Sequence, residues 1–414
     1  MIILVYIILA VYALSMFFIL LYALTQFNLL INYIQAKGKG KKLPNLDISN
    51  PKEIPFVTVQ LPLYNELYVV ERLLDNIALL NYPKEKLEIQ VLDDSTDESL
   101  KLSLNKVREL QNKGLDISHI TRTDRTGFKA GALKEGLISA KGEYIAIFDS
   151  DFLPQPDWLL ETLPYFENDN IGLIQTKWGH INRNHSLLTK VQAFALDAHF
   201  TLEQVGRNSK KHFINFNGTA GIWRKDCILD AGNWEGDTLT EDLDLSYRAQ
   251  LKNWTFKYLE EVETLAELPV EISAARSQQF RWNKGGAENF QKMLKRILTS
   301  KTVPLKTKMH GVLHLLNSTM FLNVLIVAVL SVPVLFIKNE YEHLRGYFLV
   351  MAFFLVSTML YFFCYWVVYK KQNGGGIQRF FEYILSFITF FSVAMGFSLN
   401  NSIAVLEGHF GKRS

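Results

Sequence analysis

Apolar positions in this chain collect at its two ends and alternate with polar ones in the middle. From Met1 to Ala36 no residue is charged, and the run ILVYIILAVYALSMFFILLYAL outlasts the roughly 20 apolar residues that a helix needs to cross a bilayer. A cleaved leader would want a basic start and a shorter apolar core than this stretch has. Residues 1–36 are therefore expected to form an N-terminal transmembrane helix. Apolar blocks return at about 312–337, 346–369 and 380–405, each long enough to span, which predicts three C-terminal transmembrane helices within 306–405. The last block holds Ser398, Asn400 and Asn401, which would equally suit a helix buried against protein.

Between about 50 and 270 the pattern shortens. FVTVQLP, the helix-like ELYVVERLLDNIALL, LEIQVLDDS, ISHITR, GFKAGALKEGLISA and EYIAIFDSD read as repeated β-α-β units. Continuous apolar runs that end in polar residues suggest parallel strands buried on both faces. The expected fold is thus α/β: a Rossmann-like domain with a mainly parallel sheet, plus α-helical transmembrane segments. Residues 271–300 follow with apolar and basic positions at helical spacing, which predicts an amphipathic helix at the membrane interface.

In parallel sheets ligands sit at the carboxyl ends of the strands, and here those ends are acidic. The run EIQVL leads into Asp93 and Asp94, and YIAIF leads into Asp149, Ser150 and Asp151. Carboxylates crowded in this way call for a cation or for hydrogen-bond donors, although an Asp after a strand is also an ordinary turn residue. GFKAGAL offers Lys129 and Gly131 at a helix start suited to phosphate. FNGTAGIWR, from Phe216 to Arg224, is a loop passing close to a ligand or else a bulge. Thr240, Glu241 and Asp242 suit a helix amino terminus, whether structural or functional.

Charge changes the picture only slightly. With 44 Lys and Arg against 41 Asp and Glu, the net charge of +3 gives no broad basic field and no support for nucleic-acid binding. The two cysteines, Cys227 and Cys364, make neither a disulfide framework nor a zinc cluster. Lys37, Lys39, Lys41 and Lys42 form a basic flank after the first span, and Lys370, Lys371 and Arg379 another in a later loop. Basic flanks are retained in the cytoplasm, so the middle domain is expected there, in a multi-pass integral membrane protein in contact with membrane lipids.

Taken in order, LDDSTD, GFKAGALKEG, FDSDF, FNGTAGIWR, TLTEDLDLSYR and QQFRW resemble the inverting family-2 glycosyltransferases of the cellulose synthase superfamily. The set looks most like the plant cellulose synthase-like enzymes that make β-mannan and glucomannan backbones. The resemblance implies a GT-A glycosyltransferase domain over about 50–270. Tyr64, Glu66, Asp93, Asp94 and Lys129 would bind a nucleotide-sugar, and Asp149 and Asp151 would join them by holding Mg²⁺ or Mn²⁺ on its diphosphate. Asp242, beside Glu241, would be the general base, and Arg281 would stabilise the departing diphosphate. Phe216, Asn217, Gly218 and Thr219 would floor the acceptor sugar, with Gln278 and Trp282 holding the acceptor end.

The resemblance implies extension of a β-linked glycan from UDP-glucose or GDP-mannose, in a processive manner. Transfer of one sugar to a lipid acceptor is the alternative, and a silent membrane scaffold or transporter subunit a third. Processive members of the family continue beyond a segment like LEGHFGKRS with a gating loop and more helices. A chain stopping at Ser414 is accordingly expected to be a shortened form, or to have a polymer route that is incomplete or is completed by oligomerisation.

Overall fold

The computed structural model describes residues 2–36, 43–50 and 53–411. The basic flank expected after the first span, residues 37–42, lies outside the described residues. The chain starts with helix α1 (Ile2–Ala36) and then builds one eight-stranded sheet: β1 (Val57–Leu63), β2 (Leu87–Asp93), β3 (Asp116–Thr121), β4 (Tyr144–Ile147), β5 (Phe152–Leu153), β6 (Ile171–His180), β7 (Gly221–Arg224) and β8 (Thr255–Ala266). Their order is β3-β2-β1-β4-β7-β6-β8-β5. Neighbours from β3 to β4 are parallel and β6 is parallel to β8, while β7 and β5 run against their neighbours.

This order has a direct consequence for ligands. The chain moves outward from β1 to β2 and β3, then returns to place β4 on the other side of β1. Crossovers leave β1 and β4 in opposite directions, so a crevice opens at their carboxyl ends. Strand alternation decides which layer each residue joins. Val57, Val59, Leu61 and Leu63 pack with α2 (Val70–Ile77) and α3 (Ser99–Asn112) on one face. On the other face Ile145 and Ile147 meet α4 (Phe128–Ser139). Helix α5 (Trp158–Thr162) joins the first layer. After β6 come α6 (Leu187–Ala198), a π-helical segment His199–Gln204 and α7 (Val205–Asn208). Helices α8 (Lys225–Asp230) and α9 (Glu241–Leu251) complete the second layer, where Trp223, Trp234 and Phe216 form an aromatic core.

Six helices follow: α10 (Ile272–Thr299), α11 (Leu305–Leu315), α12 (Thr319–Glu340), α13 (Arg345–Phe353), α14 (Val356–Asn373) and α15 (Ile377–Phe410). Among the described residues, four stretches are long and apolar enough to cross a membrane: Ile2–Ala36, Thr319–Glu340, Glu342–Asn373 and Ile377–Phe410. A helix of 35 residues extends about 50 Å, well beyond a hydrocarbon core of about 30 Å, so α1 is long enough to cross a bilayer and still reach the sheet domain. At one end Val5 and Leu9 pack on Val334 and Ile337 of α12, and Tyr347 donates to the Leu9 carbonyl at 2.7 Å. At the other, Leu29, Leu30 and Tyr33 pack on Leu202 of the sheet domain and on Val368 of α14. Lys371 pairs with Glu260 at 2.5 Å at this same end.

Helix α10 lies along α15. The Asn400 amide donates to the Arg276 carbonyl at 3.3 Å, and further along Gln291 meets His409 at 3.0 Å. Gly408 sits between these contacts, and a methyl there would stand 2.6 Å from the Lys284 carbonyl. Only glycine permits that approach.

Candidate active site

The crevice at the ends of β1, β2 and β4 collects the acidic motifs, and the two aspartates after β2 have different surroundings. Asp93 is buried and accepts from the Ser95 backbone N–H at 2.9 Å and from Ser103, with His119 Nε2 at 3.1 Å. Burial works to raise its pKa, yet these hydrogen bonds outweigh it and bring the carboxyl down to about 2. Asp93 therefore braces the strand end. Asp94 is gripped by Arg122, whose Nε lies 3.0 Å from Oδ1, with Arg125 at 3.8 Å. Arg125 also stacks over the Tyr64 ring, 3.4 Å from its centroid. Tyr64 itself is exposed at the mouth of the crevice.

After β4, the Asp149 N–H donates to Thr219 Oγ1 at 2.9 Å, and its carboxylate pairs with Lys129. Asp151 is pushed up to about 7, first by burial and then by its neighbours Asp149 and Glu66. Burial also raises Glu66, against a hydrogen bond from Ser150. Three carboxylates thus share a space in which Lys129 is the cation bound to one of them. Hard oxygen donors short of positive charge fit a small divalent cation, for which Asp149 and Asp151 are the candidate ligands.

Lys129 ties this cluster to the next motif. Its Nζ donates to the Gly218 carbonyl at 3.0 Å, and Gly218 takes φ +83°, a left-handed conformation natural to glycine. A methyl at Gly218 would stand 3.3 Å from Asp242 Oδ2 and 3.5 Å from Lys129 Nζ. Asp242 lies in the first turn of α9 and accepts from the Leu243 N–H at 2.8 Å. Burial, then the adjacent Glu241 carboxylate, push Asp242 up to about 7; burial raises Glu241 too, with Lys129 and Arg281 acting against it. Arg281 is thereby electrostatically in reach of this helix start, although it is exposed on α10. Gln278 and Trp282, half-buried, share one face of α10 at i, i+4.

The structure differs from expectation at Phe216. Its ring is fully buried against Trp223 and Trp234, so the loop carries the ring inward and leaves its backbone and Asn217, Gly218 and Thr219 nearer the crevice. Several supporting residues escaped the sequence reasoning. Arg122 and Arg125 stand in the TRTDRTGFK run, where two arginines just before the glycine loop were the available signal. On α10, Glu288 accepts from the Leu239 N–H at 2.8 Å, and Asn289 donates to the Thr240 hydroxyl at 2.9 Å and carbonyl at 3.1 Å. Lys292 reaches Glu235 at 2.7 Å, Asp237 at 2.6 Å and Asp244 at 2.8 Å. These three carboxylates lie within 4.8 Å of one another, and the Lys292 ammonium already fills the role a metal would have. With Gly285, where a methyl would meet Thr240 Oγ1 at 2.5 Å, they form an i, i+3, i+4, i+7 stripe that clamps the segment 235–244 onto α10.

Residues 55–285 match the family described as Glycosyltransferase like family 2. The chain is 43% identical over 263 residues to "Probable glucomannan 4-beta-mannosyltransferase 7" of Oryza sativa subsp. japonica, covering 62% of this chain and 45% of that protein. It is 41% identical over 268 residues to "Glucomannan 4-beta-mannosyltransferase 1" of Cyamopsis tetragonoloba, covering 64% and 51%. The chain spans about half the length of these curated relatives. Among solved structures, it is similar to a mannosyltransferase from Pyrobaculum calidifontis in complex with GDP-Man and Mn²⁺, with a TM-score of 0.61, 19% identity, and coverage of 95% of this chain and 99% of that one. This likeness shows a shared GT-A-like fold.

Proposed function

The chain belongs to the Glycosyltransferase like family 2, and on that premise we propose that it is a membrane-embedded inverting hexosyltransferase that extends a β-(1→4)-linked glycan from GDP-mannose. One observation carries this above the others. Through Lys129 and Gly218, the carboxylates after β4 and the Asp242 carboxylate adjoin one another, as an anionic diphosphate and an attacking hydroxyl require.

The roles follow from position. Tyr64 and Arg125 present a stacked edge to the base, and Asp94, held by Arg122, offers acceptor oxygens beside it. Asp149 and Asp151 would hold Mg²⁺ or Mn²⁺, and the bound cation would offset the charge of the diphosphate. Lys129, released from Asp149, turns to a phosphate oxygen. The acceptor hydroxyl attacks the anomeric carbon from the face opposite the diphosphate, the carbon–oxygen bond to phosphate breaks with its electron pair, and Asp242 takes the hydroxyl proton. A base with pKa near 7 is well matched to this transfer. Arg281 stabilises the departing diphosphate, while Trp282 and Gln278 hold the acceptor end. Helix α1 and the three C-terminal spans keep the domain on the membrane surface, on the cytoplasmic side where nucleotide-sugars are made.

A second reading, transfer to a lipid-linked acceptor, draws on a cavity of about 570 Å³ between α6, α14 and α15, lined by Lys190, Phe194, Tyr365 and Leu385 among others. Both are tested by the purified protein in liposomes with labelled GDP-mannose or UDP-glucose and Mg²⁺ or Mn²⁺. Label in a mannanase-sensitive polymer is the expected result. A solvent-extractable product of fixed size would replace the first reading by the second, and no incorporation from any nucleotide-sugar would sink both.

A further inference from the structure

Asp242 is oriented by a competition for one backbone N–H. Thr240 stands immediately before α9, where a threonine ordinarily turns its hydroxyl onto the N–H of the second or third helical residue. The third is Leu243, and its N–H donates instead to Asp242 Oδ1 at 2.8 Å. The Thr240 hydroxyl makes no such cap. It accepts from Asn289 Nδ2 of α10 at 2.9 Å, and Asn289 is fully buried. The same amide nitrogen lies 3.1 Å from the Thr240 carbonyl oxygen, 3.2 Å from that of Gly285 and 3.3 Å from Thr238 Oγ1. Two of these oxygens belong to backbone carbonyls, which only accept, so the amide presents its N–H groups to Thr240. Gly285 completes the seat: a methyl there would stand 2.5 Å from the Thr240 hydroxyl oxygen and 2.6 Å from its γ-methyl. Helix α10 thus draws the Thr240 side chain off its own helix.

With Oδ1 pinned on the Leu243 N–H, the direction of the other oxygen is set. Asp242 Oδ2 lies toward Gly218, 3.3 Å from where a methyl on that glycine would stand, and Lys129 Nζ is 3.5 Å from the same point. Burial and then Glu241 raise the pKa of Asp242, and the hydrogen bond from Leu243 acts against them by favouring the ionised carboxylate. We propose that Asn289 is a positioning residue for the base: by holding the Thr240 hydroxyl, it leaves the Leu243 N–H to Asp242 Oδ1 and keeps Oδ2 turned toward the Gly218 loop. This rests on the proposed transferase activity with Asp242 as base. Helix α10 also carries Arg281, Gln278 and Trp282, so the alignment of the base and the groups proposed for the diphosphate and the acceptor depend on one helix.

The experiment is a double-mutant cycle on the full chain in liposomes, read as turnover and donor KM with labelled GDP-mannose and Mn²⁺, and as GDP affinity by calorimetry. Asn289→Leu is of similar size but cannot donate, so the Thr240 hydroxyl is freed to cap α9 and displace Asp242 Oδ1. Turnover should fall about ten- to hundredfold, the range for a hydrogen bond to a charged group, with donor KM and GDP affinity within about twofold. Thr240→Val removes the competing hydroxyl, so turnover in the double variant should return to within about twofold of Thr240→Val alone. Losses that multiply in the double variant, unchanged turnover in Asn289→Leu, or equal damage to turnover and GDP affinity would each overturn the proposal. Should Asn289→Leu fail to fold, Asn289→Ala, which removes the donor without adding bulk, takes its place in the cycle. Wild-type protein that transfers no sugar overturns the transferase assignment, and this inference with it, which separates that failure from the others.

Discussion

Asp242 and Asp151 are carboxylic acids held near pKa 7 by burial and by other carboxylates, and both leave a signature in pH. As the proposed base, Asp242 would act when ionised, so the rate of transfer is expected to rise with pH through about 7. Asp242→Asn should lower turnover by about 10²- to 10⁴-fold while nucleotide affinity, read by calorimetry, stays near wild type. Stability runs the other way. Between the ordinary carboxylate range and about 7 the folded protein binds more protons than the unfolded chain, so its stability falls as pH rises through that window. A melting temperature measured without ligands should drop over this range, and Mn²⁺ with GDP should recover it; a flat profile in both conditions would refute the crowding of charge at Asp151. Asp151 stood out in the sequence by its position after a strand and Asp242 by its position at a helix start. The burial of the Phe216 ring and the engagement of Asp93 by Ser95, Ser103 and His119 were not legible there, because they depend on partners distant in sequence or on which way a loop turns.

Among elements, α10 is the one whose work the pattern of residues understated. Apolar and basic positions at helical spacing led to the expectation of an amphipathic helix at the membrane interface; Ile272–Thr299 is helical, and its stripe at 285, 288, 289 and 292 fastens the segment leading into α9. Lys292 is almost wholly buried, and Asp244 opposite it has no exposed side chain. Lys292→Met is expected to cost about 3 kcal/mol, the lower end for breaking a buried ion pair, because Glu235 and Asp237 still reach water. Urea denaturation of the detergent-solubilised protein would measure this, and a loss below about 0.5 kcal/mol, typical of surface substitutions, would mean that the clamp is dispensable. The parallel strands β1 to β4 were readable as β-α-β repeats. The long pair β6 and β8 was not, since their residues are some 80 positions apart and their register breaks between Thr176 and Lys177.

For the whole molecule, the four helices long and apolar enough to span were legible in the sequence, since roughly 20 apolar residues need no tertiary information to recognise. How the spans are bundled came only from their packing: the start of α1 lies with the 341–344 link, and the end of α1 with Lys371 and the sheet domain. Single cysteines placed at Glu342 and Gly375, in a background lacking Cys227 and Cys364, should therefore react with an impermeant maleimide from opposite sides of sealed vesicles. Labelling from one side would overturn that arrangement.

The contact of Gly408 with Lys284 has a mechanical consequence. A bilayer thinner or thicker than α15 prefers is accommodated by helix tilt, and with no methyl at Gly408 to act as a cushion, tilt bears directly on the backbone of α10, one residue from the Gly285 contact with Thr240. Under the proposed membrane activity, lipid thickness is then expected to be a variable of the reaction rate. In vesicles of increasing acyl-chain length, turnover is expected to pass through a maximum while GDP affinity stays level, and a rate indifferent to chain length would show that the bilayer's strain is absorbed before it reaches the sugar.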